Sequence, residues 1–100
     1  MNLDDVRRHL IAYDISDDIR RTKVAKKLES YGDRIQHSVF IVDTRPAKFL
    51  RLRTQLTAMI DEERDSVIFC NLGTLRENNR RSLDVIGCSR TITNHGPAIL

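Results

Sequence analysis

Arg34-Ile35-Gln36-His37-Ser38-Val39-Phe40-Ile41-Val42-Asp43 is the stretch whose path decides the fold. Its residues alternate, with Ile35, His37, Val39 and Ile41 pointing one way and Gln36, Ser38, Phe40 and Val42 the other. Drawn as one long strand, it leaves the chain with the order β-α-β-α-β-β. Bent or bulged near His37-Ser38, it becomes two strands and the order β-α-β-β-α-β is restored. Both paths are compatible with the alternation alone.

Upstream, Arg8-His9-Leu10-Ile11-Ala12-Tyr13-Asp14 is a short apolar run ending in a carboxylate, which predicts a central strand. Ser16-Asp17-Asp18 is a helix start with acidic groups in the first turn. The spacing predicts a helix from about Asp17 to Tyr31, with Val24, Leu28 and Tyr31 on its buried stripe and Gly32 as its C-cap. Downstream, Thr44-Arg45-Pro46 opens a second helix with Pro46 at the first helical position. Phe49, Leu52, Leu56 and Met59 share its apolar face, and Asp61-Glu62-Glu63 ends it. Asp65 to Leu72 reads as a strand, Gly73 to Arg80 as a polar loop, and Ser82 to Cys88 as an additional edge strand. The tail from Thr91 ends in Ala98-Ile99-Leu100, an apolar segment expected to dock elsewhere. With the bend at His37-Ser38, the class is α+β with a ferredoxin-like core over about residues 8–72.

The 100 residues suit one domain, since two cores of half that size would bury too little surface. With 40% hydrophobic and 31% charged residues, the composition is that of a folded chain, and no apolar run approaches the ~20 residues of a membrane span. Met1-Asn2-Leu3-Asp4-Asp5 has no signal-peptide character, so a cytoplasmic protein is expected. Cys70 and Cys88 lack CxxC spacing and sit in apolar segments, which predicts buried free thiols. The net charge of +3 permits a nucleic-acid partner without requiring one.

No phosphate-cradling glycine loop, nucleophile elbow or zinc-ligand pattern occurs, because the four glycines and three histidines are scattered. Asp14 is what remains: a carboxylate at the end of a buried strand, before a helix start. It either caps the turn or belongs to a metal site, and a second copy brought by a dimer axis would supply the further carboxylate such a site wants. Helix one carries Arg20, Arg21, Lys23, Lys26 and Lys27, with Arg20, Lys23 and Lys27 on one face. That face is either merely solvated or a phosphate-contacting surface extended by Arg34. Tyr13 and Phe40 are the aromatics placed to stack a base, and Phe40 fits the core equally well.

Together these segments resemble the CRISPR-associated protein two family, the smaller of the two universal spacer-acquisition proteins. The resemblance is carried by Tyr13-Asp14-Ile15-Ser16-Asp17-Asp18, Arg20-Arg21, Lys23-Val24, the run Gly32 to Phe40 and Asp65-Ser66-Val67. It implies a ferredoxin-like homodimer in which each chain's C-terminal strand completes its partner's sheet. It also implies a Mg²⁺- or Mn²⁺-dependent endonuclease acting on RNA or duplex DNA, and a bridge between two dimers of the CRISPR integrase. Asp14 matches the family's metal-binding aspartate; Tyr13, Arg21, Arg34 and Phe40 match positions linked with activity or substrate contact. Ile41 stands where many members carry a glutamate, and nothing after Leu72 matches a pattern of the family. On this resemblance two Asp14 carboxylates would hold the ion, Arg21 and Arg34 would neutralise phosphate charge, and Phe40 would shape the wall or stack a base. Two other functions fit the same residues: a non-catalytic DNA-binding adaptor of the integrase complex, and a toxin-type ribonuclease resembling virulence-associated protein D.

Overall fold

The computed structural model describes residues 5–78 and 83–88. In chain order the elements are β1 (Arg7–Asp14), α1 (Asp18–Glu29), β2 (Asp33–Gln36), β3 (Val39–Thr44), α2 (Pro46–Met59), β4 (Ser66–Thr74) and the single turn α3 (Leu75–Asn78). The stretch 34–43 therefore bends. His37 and Ser38 form the turn, and the β2–β3 register shifts between Arg34 and Gln36. Tyr13 pins the turn from below: its backbone N–H donates to the Ser38 carbonyl at 3.1 Å and its hydroxyl to the His37 carbonyl at 3.4 Å. The sheet order is β2-β3-β1-β4 with every neighbouring pair antiparallel, the ferredoxin-like α+β arrangement expected from the element order.

Both helices lie on one face of the sheet. Ile11 and Tyr13 of β1, Phe40 and Val42 of β3, Val24 and Leu28 of α1, and Leu52 and Leu56 of α2 form the buried core between the layers. Asp17, outside the helix proper, caps α1 by accepting from the Arg20 N–H at 2.9 Å, while Pro46 starts α2 with its φ already helical. The opposite face of the sheet carries Leu10, Ala12, Ile41, Ile68 and Cys70. Within it lies the cross-strand pair Arg8–Asp43, bidentate at 2.7 and 2.8 Å and with side chains only 4% and 7% exposed.

Several expectations are corrected. Helix one stops at Glu29, and Gly32 is not a left-handed cap; it lies where the chain passes against β3. A Cβ there would fall inside contact distance of the Ile41 carbonyl oxygen and 2.9 Å from the Val42 Cα, so the glycine is required by close approach. Helix two ends at Met59, before the acidic triplet. The expected loop from Gly73 instead continues β4 through Thr74 and then makes the turn of α3. Cys70 and Cys88 are exposed: β4 turns Val67 and Phe69 to the helices, which sends Ile68 and Cys70 to the other face. Residues 83–88 are irregular, with Ile86 99% exposed, because a strand needs a ladder partner and none lies beside them among the described residues. Ser82 and the tail from Thr91 to Leu100, including its expected docking, lie outside the described residues.

Gly32→Ala should destabilise the fold by about 3 kcal/mol, the upper end of over-packing costs, because the obstructing atoms are backbone. Denaturant titration of the two proteins checks this.

His9 gives the fold a pH dependence. It is buried, stacked on Phe49 with ring centroids 3.7 Å apart, and its Nδ1 has no hydrogen-bond partner among the described residues. Burial first, then the charge of Arg7, lowers its pKa from the ordinary value, against a smaller opposing pull from Asp43. The unfolded chain therefore takes up this proton at higher pH than the folded chain. The stabilisation is fully present above the unfolded value of about 6.5 and is lost as pH falls from there towards the lowered folded value. Denaturant midpoints measured across that window should decline in the wild type and stay flatter in His9→Phe.

Candidate nucleic-acid and metal site

The strand β1 divides the expected site residues between two faces. Tyr13 points to the helices and is buried beside Phe40, with ring centroids 6.1 Å apart. Arg34 of β2 reaches over both: its Nη2 donates to the Tyr13 hydroxyl at 3.2 Å, and its guanidinium carbon lies 5.2 Å from the Phe40 centroid. The Arg34 Nε is buried without a partner among the described residues, and Nη1 lies 4.0 Å from Glu29. Beside this group opens a cleft of about 310 Å³ between α1 and the β2–β3 hairpin, with Arg21, Lys26, Glu29, Arg34 and His37 among its lining residues. Three cations against one carboxylate make the cleft suitable for an anionic group.

Phe40 belongs to the core: it is fully buried and offers no face to a base. Tyr13 is likewise buried, its hydroxyl used by Arg34 and the hairpin turn. Arg21 donates through Nη1 to the Ile15 and Ser16 carbonyls at 3.1 Å and pairs with Asp18, so it braces the β1–α1 loop. Arg20, grouped by helical spacing with Lys23 and Lys27, is instead held by Asp65 through Nε at 2.7 Å and Nη2 at 3.1 Å. Asp65 has a fully buried side chain, and its Oδ2 also accepts from the Asp61 N–H at 2.9 Å. The Arg20 hydrogen bond, then the Asp61 N–H, lowers the Asp65 pKa, and the same pairing raises that of Arg20. Lys23 remains exposed and Lys27 half-buried.

Asp14 stands apart from this group. It is exposed at the end of β1, opposite Ser66 of β4, on the sheet face away from the helices. Among the described residues no three metal-ligating side chains gather. One chain supplies the Asp14 carboxylate and the Ser66 hydroxyl as hard oxygen donors, the type that suits Mg²⁺ or Mn²⁺ once a second carboxylate joins them. Periodicity on helix one did not reveal the Arg20–Asp65 clamp, because the two residues are 45 positions apart. Nor did it draw attention to α2, whose span contains Lys48, Arg51 and Arg53 and no carboxylate.

The ferredoxin-like sheet agrees with the comparisons. The family model for CRISPR associated protein Cas2 matches residues 7–80, and the chain belongs to that family. A CRISPR-associated endoribonuclease Cas2 of Rhodospirillum rubrum is 40% identical over 81 residues, covering 81% of this chain and 82% of the relative. The Streptococcus pyogenes Cas2 crystal structure superposes with a TM-score of 0.70 at 35% identity, covering 80% of this chain and 99% of that one. A chain of a partial Cas6-RT-Cas1–Cas2 complex superposes with a TM-score of 0.65 at 30% identity, covering 79% of this chain and 90% of that one. No helix among the described residues is long and apolar enough to cross a membrane.

Removing Arg20 leaves the buried Asp65 carboxylate with only a backbone donor. Arg20→Ala should therefore lower the thermal midpoint clearly, while Lys23→Ala on the adjacent exposed position leaves it within about a degree or two. Because the Asp65 pKa is depressed, the clamp's contribution is present above the unfolded value of about 3.9 and is lost as pH falls through the folded value. The gap between wild type and Arg20→Ala should thus close in acid.

Proposed function

We propose that this chain works as a homodimer in CRISPR spacer acquisition, binding nucleic acid and bridging integrase dimers, with a divalent-metal-dependent phosphodiesterase site at Asp14. The observation that carries this is the position of Asp14 at the edge of an apolar sheet face that neither helix covers. On that face Ile68 is 61% exposed, beside Leu10, Ala12 and Cys70. Packing two such faces together buries the apolar patch and brings a second Asp14 towards the first. β4 is the last strand of the sheet among the described residues, and residues 83–88, irregular in one chain, would become a strand on pairing with the partner's sheet. The similarity to a Cas2 chain from a complex with Cas1 supports the integrase partner, and the relatives named endoribonucleases support the nuclease.

At such a site Mg²⁺ or Mn²⁺ would supply a water activated at neutral pH and a counter-charge for the phosphodiester. Asp14 would contribute oxygen ligation and Ser66 a hydrogen-bonding hydroxyl. The cations of the cleft, Arg34 and Lys26, lie on the other side of the sheet from Asp14. Their role is to hold backbone phosphate, not to stabilise charge at the scissile bond. The adaptor function keeps everything except the Asp14 chemistry.

Sedimentation and cleavage assays on three proteins separate these possibilities. Wild type should sediment as a dimer, and Ile68→Arg as a monomer, because it places a charge in the packed face. Asp14→Asn should keep the dimer and its duplex binding while Mg²⁺- or Mn²⁺-dependent cleavage drops to the EDTA level. Cleavage by Asp14→Asn equal to wild type would remove the catalytic assignment, and a monomeric wild type would remove the dimer.

A further inference from the structure

We propose that α2 carries a second phosphate-backbone surface, which acts with Lys27 of α1 to hold duplex DNA across the helical layer. This rests on the nucleic-acid binding proposed above and specifies where it occurs.

Charge compensation is the first ground. Between residues 45 and 59 the chain has four cations, Arg45, Lys48, Arg51 and Arg53, and no carboxylate. On α1 the arginines are neutralised, Arg20 by Asp65 and Asp17 and Arg21 by Asp18. Neither the three lysines of α1 nor Arg45 nor the three cations of α2 form an ion pair among the described residues. Lys48 lies over the Tyr31 ring at 5.5 Å and Arg53 over Phe69 at 4.9 Å, which steadies their stems and leaves their outer N–H groups to solvent. Arg51 is exposed with no ring or carboxylate contact. The unneutralised charge of the helical layer therefore lies on α2 and on the lysines of α1.

Topology joins these two halves. The Tyr31 hydroxyl, just past α1, donates to Gln55 Oε1 of α2 at 3.0 Å, and the same ring sits under Lys48. The end of α1 therefore lies beside α2, and Lys27, four residues before Tyr31, shares its helix face, whereas Lys26 lines the cleft on the hairpin side. α2 starts directly after Thr44, which pairs with Arg7 at the opposite end of β1 from Asp14, about 23 Å away along the strand.

Chemistry selects the occupant. A single strand held without sequence preference wants exposed aromatic faces, yet Tyr13, Tyr31, Phe40, Phe49 and Phe69 are all buried or half-buried. What the layer offers is cations of one sign on two adjacent helices, the arrangement that tracks the phosphates of a duplex by counterion release.

Fluorescence anisotropy with a labelled blunt DNA duplex across a salt series tests this on the full chain. Glutamine keeps helix propensity while removing charge, so circular dichroism of Lys48→Gln/Arg51→Gln should match wild type. That variant should bind the duplex about tenfold more weakly near 0.1 M salt, with the log–log salt slope flatter by roughly two. Lys27→Gln should also weaken binding, with the slope flatter by roughly one. Wild-type affinity and slope in the α2 variant, alongside weakened binding by the α1 variant, would overturn the α2 surface and leave nucleic-acid binding standing. A wild-type chain that does not bind the duplex even at low salt would overturn both. Displacement of the duplex by polyglutamate as effectively as by unlabelled duplex would overturn DNA as the occupant in favour of an acidic protein.

Discussion

The pleat of β1 is the constraint on which the rest depends. Ile11 and Tyr13 must face the helices to complete the core, so their neighbours Ala12 and Asp14 face away. A slip of one residue would bury Asp14 among Val24, Leu28 and Phe40 and expose Tyr13, which the loss of apolar burial forbids. The direction of the metal-ligand candidate is thus set by packing on the other side of the sheet. Tyr13 then extends the constraint: its backbone and hydroxyl hold the His37–Ser38 turn, and that turn places Arg34 over Phe40.

Much of this was legible in the residues because it follows from local pattern. The apolar stripe of α2, the Pro46 start, the central strand ending at Asp14 and the two alternatives for 34–43 all come from period and turn chemistry. What escaped depends on partners distant in sequence. Arg20 looked like one cation in a helical row, and only the fold brings Asp65 to it. Gly32 looked like a cap because it follows a helix, whereas the neighbour that forbids a Cβ is β3. Cys70 looked buried because its segment is apolar, yet a two-sided strand in a two-layer fold has one face without a helix over it. The Ser82–Cys88 expectation shows the same limit: β-propensity is satisfied only where a ladder exists.

Arg8–Asp43 belongs to the same logic. A buried ion pair adds little net stability over apolar residues of similar size, because desolvation offsets the attraction. Its effect is on register. Arg8 and Asp43 are directly opposite on β1 and β3; any shifted pairing would break the bidentate contact and leave two charges to be buried apart. On an otherwise apolar sheet face the pair makes one alignment of β1 with β3 far better than its neighbours.

The separation of faces also bears on how holding and cutting relate. If two open sheet faces pack together, both helical layers turn outward, and their basic surfaces point to opposite sides of the dimer. Asp14 then sits at the seam, while the unneutralised cations begin about 23 Å away at the other end of the strands. The carboxylates Asp61, Glu62 and Glu63 follow α2 on the way towards Ser66 and Asp14, so a backbone tracking the cations is repelled before it reaches the seam. A duplex held along α2 is therefore not presented to Asp14. On the function proposed above, such a duplex would be carried and positioned without being cut, and cleavage at Asp14 would need a different approach of the nucleic acid, along the seam itself.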